Sequence, residues 1–194
     1  MQLSSFILIT IFIWLGIQPA SAQIEIKNPS FEISNSAGIP TDWTICNSGS
    51  TPDMLPGLWD VISEPSDGNT YLGLITRNDG TWESIGQRLT DKVIPSRCQR
   101  FNVDLARSPT YVGYSLPVKL RIYLGKNACD KAQLIGETEN ILSTEWTTIQ
   151  INFIPDEAYS HIVLEAYYAN GIYIYYNGNI LVDNITPIEV CPRA

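Results

Sequence analysis

Histidine is nearly absent: His161 is the only one in the 194 residues. A triad of the serine-hydrolase kind would have to use it, and a metal site with several imidazole ligands cannot be built. It stands at the start of an otherwise apolar alternation, as a surface or edge residue does. A Gly-x-Ser-x-Gly nucleophile elbow is missing as well. Basic residues are few, 12 Lys and Arg against 20 Asp and Glu for a net charge of −8, and no Lys/Arg run reverses that field locally. Polyanions are repelled by it, which excludes nucleic-acid binding. Charge of either sign is scarce, at 16% of residues. The polar surface must then come from Asn, Ser, Thr and Gln, which suits neutral, hydroxyl-rich partners better than ionic ones. Sustained helical periodicity, internal repeats and low-complexity tracts are absent too, and only one long apolar run occurs.

That run spans residues 6–17 and is broken only by Thr10 and Gly16. It is shorter than the roughly 20 residues a membrane span needs. Gln18-Pro19 ends it, and Ala20-Ser21-Ala22 supplies a small-x-small cleavage pattern. Residues 1–22 therefore read as a secretory signal cut before Gln23, although no Lys or Arg precedes the apolar run. The mature part, 23–194, is expected to be a single domain, since about 170 residues is the usual size of one. Neither membrane insertion nor a lipid anchor is expected after cleavage. The destination is extracellular, periplasmic or the cell surface.

Four cysteines, Cys46, Cys98, Cys129 and Cys191, all fall in the mature part. An even count in an exported chain reads as two disulfides, and the spacings are far too wide for a zinc site. Three connectivities are possible. The expected one is Cys98–Cys191 with Cys46–Cys129: Cys98 opens one strand and Cys191 closes the last, while the other two lie in loops.

The patterning is β throughout. Phe101, Val103 and Leu105 alternate with polar residues, as do Val118, Leu120 and Ile122, and Ile149, Ile151 and Phe153. Ile162 and Leu164 alternate with Val163 and Glu165, and Ile180 and Val182 with Leu181 and Asp183. Period-two runs of this kind are strands with one face in the core. Asp67-Gly68, Asn78-Asp79-Gly80, Asn170-Gly171 and Asn177-Gly178-Asn179 are turn signals between them. The fold class predicted is an all-β, two-sheet antiparallel sandwich. Residues 44–66, rich in Ser, Gly, Pro and Asp and carrying Trp59, read as one long ordered loop.

Aromatics carry the binding signal. Trp43, Trp59, Trp82 and Trp146 lie in the mature part with all ten Tyr. Tyr and Trp pair a flat apolar face with a polar tip, and a sugar ring presents a face of C–H bonds that lies on such a ring. The candidate ligand contacts are Trp59, Trp82, Tyr71, Tyr173 and Tyr175. Paired carboxylates would serve a glycosidase, but no spacing selects two from Asp53, Asp60, Glu64, Glu83, Glu145 and Glu165, so no catalytic residue is assigned.

Asn28-Pro29-Ser30-Phe31-Glu32 followed by Pro40-Thr41-Asp42-Trp43 resembles the opening of galactose-binding-like jelly-roll carbohydrate-binding modules. Asp67-Gly68-Asn69-Thr70-Tyr71 is similar to their next landmark. Thr144-Glu145-Trp146 before Ile149 is similar to their late strand, and Asn179 to Ile185 to their closing strand. The resemblance implies a jelly roll, structural roles for Trp43 and Trp146, and a structural Ca²⁺ held by Glu32 and Asp183 where the first and last strands meet. Runs such as Leu120-Arg121-Ile122-Tyr123 are also similar to uncharacterised exported and surface domains of gliding-type bacteria. The expected function is non-catalytic binding of a neutral or weakly charged glycan or other cell-surface component. The alternatives are an adhesive protein that contacts other proteins and a small glycan-active enzyme.

Overall fold

A computed structural model describes residues 23–171 and 173–192; the expected signal segment lies outside them. The strands are β1 (Thr44–Ile45), β2 (Asp53–Leu55), β3 (Tyr71–Thr76), β4 (Ser84–Arg88), β5 (Gln99–Ala106), β6 (Leu116–Pro117), β7 (Lys119–Gly125), β8 (Gln133–Glu137), β9 (Thr147–Phe153), β10 (His161–Tyr167), β11 (Gly178–Asp183) and β12 (Glu189–Val190). They form two sheets. One runs β1-β4-β10-β7-β8; the other runs β12-β5-β11-β3-β2, with β9 also on β5 and β6 on β11. Every ladder is antiparallel except the short β6–β11 contact. The fold class is therefore all-β, a two-sheet sandwich, as the period-two runs imply.

The alternation decides what the sandwich encloses. Leu120, Ile122 and Leu124 of β7 and Ile162, Leu164 and Ala166 of β10 point inward from one sheet. Leu72, Leu74, Phe101, Val103, Leu105, Ile180 and Val182 meet them from the other, all of them buried. Trp43 is buried in this core against Phe31, with ring centroids 5.4 Å apart, and its indole N–H donates to the Asn28 carbonyl. A second, smaller cluster lies outside the seven-stranded sheet. Leu55, Tyr71, Ile75, Ala106 and Leu181 have the opposite parity there and are roofed by Val61, Tyr111, Tyr114 and Trp146.

The stretch 44–66 is not one loop. It contains β1 and β2, each too short to show a period. Met54 faces the main core and Leu55 the outer cluster. Two disulfides close the sandwich. Cys98–Cys191 fixes β12 to the start of β5, where Val190 opposes Gln99. Cys46–Cys129 joins the residue after β1 to the β7–β8 loop.

Candidate functional site

The outer face of the five-stranded sheet is built by the residues that alternate away from the core. Strand register aligns Ser84, Glu165, Arg121 and Glu137 in one row across the sheet, and Thr44, Gly86, Val163 and Tyr123 in the next. Tyr167 and Lys119 continue past Glu165 and Arg121. The Arg121 guanidinium lies over the Tyr167 ring, 3.4 Å from its centroid, and its Nε donates to Glu137 at 2.6 Å. The buried Lys119 ammonium donates to the other Glu137 oxygen and to Asn170. Burial works against the charge of Glu137, yet these two cations hold its carboxyl below the usual range. That is the reverse of what a general acid requires.

One part of this face is covered. Strands lie roughly 4.8 Å apart, so β1 is three spacings from β7. Cys129, just beyond β7, can reach Cys46 only because the loop 126–131 folds back over β10 and β4. Two glycines permit the close approach. A Cβ on Gly86 would lie 3.1 Å from the Cys46 sulfur, and one on Gly125 would collide with the Asp130 carbonyl. Under this strap Val163 is fully buried although it points outward. Lys131 crosses to pair with Glu165 and sits 5.7 Å from the Tyr123 ring centroid.

Beyond the strap the face stays open and turns aromatic. Trp82 packs edge-on to Tyr167 at 5.0 Å and to Tyr168 at 6.1 Å; Tyr168 in turn touches Tyr175 and Tyr176. Trp82 forms one wall of a depression of about 360 Å³, with Cys46, Asn47, Ser48, Gly80 and Thr81 as the rest. Glu83 anchors this corner. Its fully buried carboxylate accepts the Thr51 and Ile75 backbone N–H groups and a 2.6 Å bond from Arg77. Burial still pushes Glu83 above the ordinary glutamate range.

The sequence-derived contacts do not converge. Trp82 and Tyr175 meet through Tyr168. Tyr173 is almost fully exposed in the β10–β11 connection. Trp59 stands on the opposite side of the sandwich, its indole N–H on Asp53 and its carbonyl accepting from the Val112 N–H. Tyr71 is not a surface residue: it is fully buried in the outer cluster, bonded to Ser63 and edge-on to Trp146 at 5.1 Å. Its parity does point away from the main core, but the loop carrying Val61 covers it. Sequence reasoning missed Arg121 and Glu137, and it left Tyr167 out of the candidate contacts although the run of Tyr around it implies that some of those rings are exposed. The polar positions of the β7 and β10 alternation were the available signal, once β7 and β10 are known to be neighbours. His161, at the start of β10, has Ser160 as its one side-chain partner among the described residues, and burial together with Arg88 lowers its pKa.

Glu32 and Asp183 flank the turn 66–70 and share no partner. Glu32 accepts the backbone N–H groups of Asn69 and Thr70, and Asp183 those of Ser66, Asp67 and Asn184. N–H donors occupy the lone pairs a cation would need, so as placed these residues do not fit a shared Ca²⁺. Among the described residues no group of three or more His, Cys, Asp or Glu side chains could hold a metal ion. Melting curves with chelator and with excess calcium are expected to superimpose. Burial pushes Asp183 up to about 6 despite its donors. The native state thus holds this proton to a higher pH than the unfolded chain, in which aspartates titrate near about 3.9. The resulting stability is full below about pH 4 and is lost as pH rises through about 6, a change of up to about 3 kcal/mol. Thermal melts at pH 4 and pH 7 should show most of it in the wild type and not in Asp183→Asn.

No family model and no curated protein matches the chain. Solved structures do. A Stig cyclase, Fisc, from Fischerella sp. TAU aligns at 14% identity with a TM-score of 0.56, over 90% of this chain and 100% of that one. The CBM22-1 xylan-binding domain of Paenibacillus barcinonensis Xyn10C aligns at 16% identity and TM-score 0.53, over 85% and 93%. An arabinose-bound α-L-arabinofuranosidase, MgGH51, aligns at 14% and TM-score 0.60, over 88% of this chain but only 27% of its own. At such identities the likeness is one of fold: the chain is a jelly-roll sandwich of the kind carbohydrate-binding modules use. These structures lend no support to the resemblance with gliding-type bacterial domains.

Proposed function

We propose that the protein is an exported, non-catalytic binding domain for a neutral or weakly charged glycan, and that the open outer face of the five-stranded sheet is its site. The observation that carries this reading is the juxtaposition of half-exposed Trp82 and Tyr167 with the Arg121–Glu137 pair. Flat rings accept the C–H face of a sugar, and fixed charged groups beside them take its hydroxyls. The fold shared with a xylan-binding domain supports it, and the two disulfides suit an oxidising compartment. A lone histidine and a Glu137 held ionised speak against acid–base catalysis. A second reading, contact with another protein, is favoured by exposed Leu58, Trp59, Ile62 and Val112 on the opposite side.

A glycan array followed by turnover assays on each hit separates these. The expected outcome is retention of at least one plant- or bacterial-type polysaccharide without release of product. Product formation abolished by Glu137→Gln would make the protein an enzyme. Silence on every glycan would leave the protein-contact reading.

A further inference from the structure

We propose that β9 is a homodimerisation strand, on which a second copy of this chain adds its own β9 in antiparallel register about Gln150. Most sheet edges here carry a device that prevents such pairing. β1 and β12 are two residues long, β2 is three and carries Asp53, and β8 bears Glu137 and a register shift against β7. Short, charged or bulged edges discourage edge-to-edge association. β9 has none of these. It is seven residues, Thr-Thr-Ile-Gln-Ile-Asn-Phe, without charge or proline, and it pairs with β5 over its whole length with no shift. Among the described residues no backbone hydrogen bond links β9 to any element but β5. Alternate N–H and C=O groups along its other side are left to solvent.

The strand is also complementary to itself. A two-fold axis through Gln150 pairs all seven residues of both copies, the fullest overlap any antiparallel register allows. It sets Ile149 opposite the second copy's Ile151 on the core side, Thr148 opposite Asn152 on the outer side, and Gln150 opposite itself. Apolar meets apolar and polar meets polar at the five central positions, Thr147 faces Phe153 at each end, and no like charges face each other. A groove of about 470 Å³ runs beside the free edge, with Ile141, Leu142, Ile149 and Ile151 in its lining. Inward side chains of an added strand meet these aliphatic groups there, beside the polar segment Glu137–Asn140, so backbone bonds and side-chain burial act together.

Sedimentation equilibrium of residues 23–194 tests this over a concentration series to about 100 μM, a range that covers a dissociation constant of roughly 1–100 μM. The expected result is a monomer–dimer equilibrium in the wild type that Gln150→Lys shifts to monomer by tenfold or more, because the substitution puts two ammonium groups face to face. Gln150 is exposed, so the variant should melt as the wild type does. Asn152→Ser, which keeps the strand uncharged, should still dimerise. A wild type that stays monomeric throughout overturns the proposal. So does a dimer indifferent to Gln150→Lys, which would place the interface elsewhere.

Discussion

Reduction of both disulfides is expected to lower the melting temperature more than any single side-chain substitution. Cys46–Cys129 and Cys98–Cys191 bridge separations of 83 and 93 residues. In the chain-entropy account, closing a loop of that length removes about 4.5 kcal/mol of freedom from the unfolded state. For a domain of this size that corresponds to roughly 10–15 °C for either bridge. The two effects are less than additive. Cys98 lies between Cys46 and Cys129 in the chain, so whichever bridge remains shortens the loop that the other would close. Their locations make the losses distinguishable. Cys98→Ser with Cys191→Ser frees the β12 edge and leaves the strapped face as it is. Cys46→Ser with Cys129→Ser also releases the loop 126–131, uncovering Val163. Calorimetry with and without reductant checks the size, and a drop of only a few degrees would contradict it.

The second large effect is expected from Glu83. Its carboxylate is fully buried and serves Thr51, Ile75 and Arg77 together. Glu83→Ala removes every acceptor at once, leaving two amides and a largely buried guanidinium unpaired, at a cost of about 3–5 kcal/mol. Glu83→Gln keeps the shape and one good acceptor. Its amide nitrogen must then face either Arg77 or the Ile75 N–H, so a smaller loss of about 1–3 kcal/mol is expected. Because Glu83 ties the segment at Thr51 to β3 and to Arg77, both variants should also loosen the corner that holds Trp82. Urea unfolding of the three proteins, with Trp fluorescence as one probe, measures both consequences. Equal stability for Glu83→Ala and wild type would mean that the network is not formed.

Much of this architecture is legible in the sequence where a strand buries one face. The β5, β7, β9, β10 and β11 segments all show the period-two alternation that places them. β4 does not, although it lies inside a sheet. Its outward positions inside the sheet, Ser84 and Gly86, are small because the disulfide strap lies over them, and the third, Arg88, stands exposed at its end. Its inward Gln87 is polar because it bonds both backbone groups of Lys27. β8 hides for a similar reason: Gly136 makes room for Ile151 of the facing strand. The candidate site is less legible than the fold. Tyr167, Arg121 and Glu137 are far apart in the chain, and only the β8–β7–β10 neighbourhood brings them into adjacent rows. Tyr71 illustrates the converse. Local pattern gives a side chain's direction relative to its own strand, but whether a distant loop roofs it is decided by tertiary packing.

A glycan site on the open face beside Trp82 and Tyr167 requires those rings and not the side bearing Trp59. Isothermal titration of the wild type, Tyr167→Ala and Trp59→Ala with one glycan selected from the array tests it directly. Tyr167→Ala, which removes the ring beneath Arg121 and beside Trp82, is expected to weaken binding at least tenfold, about 1.4 kcal/mol, while its melting temperature stays near that of the wild type. Trp59→Ala should bind as the wild type does. Undiminished binding by Tyr167→Ala together with its loss in Trp59→Ala would move the site to the opposite side of the sandwich.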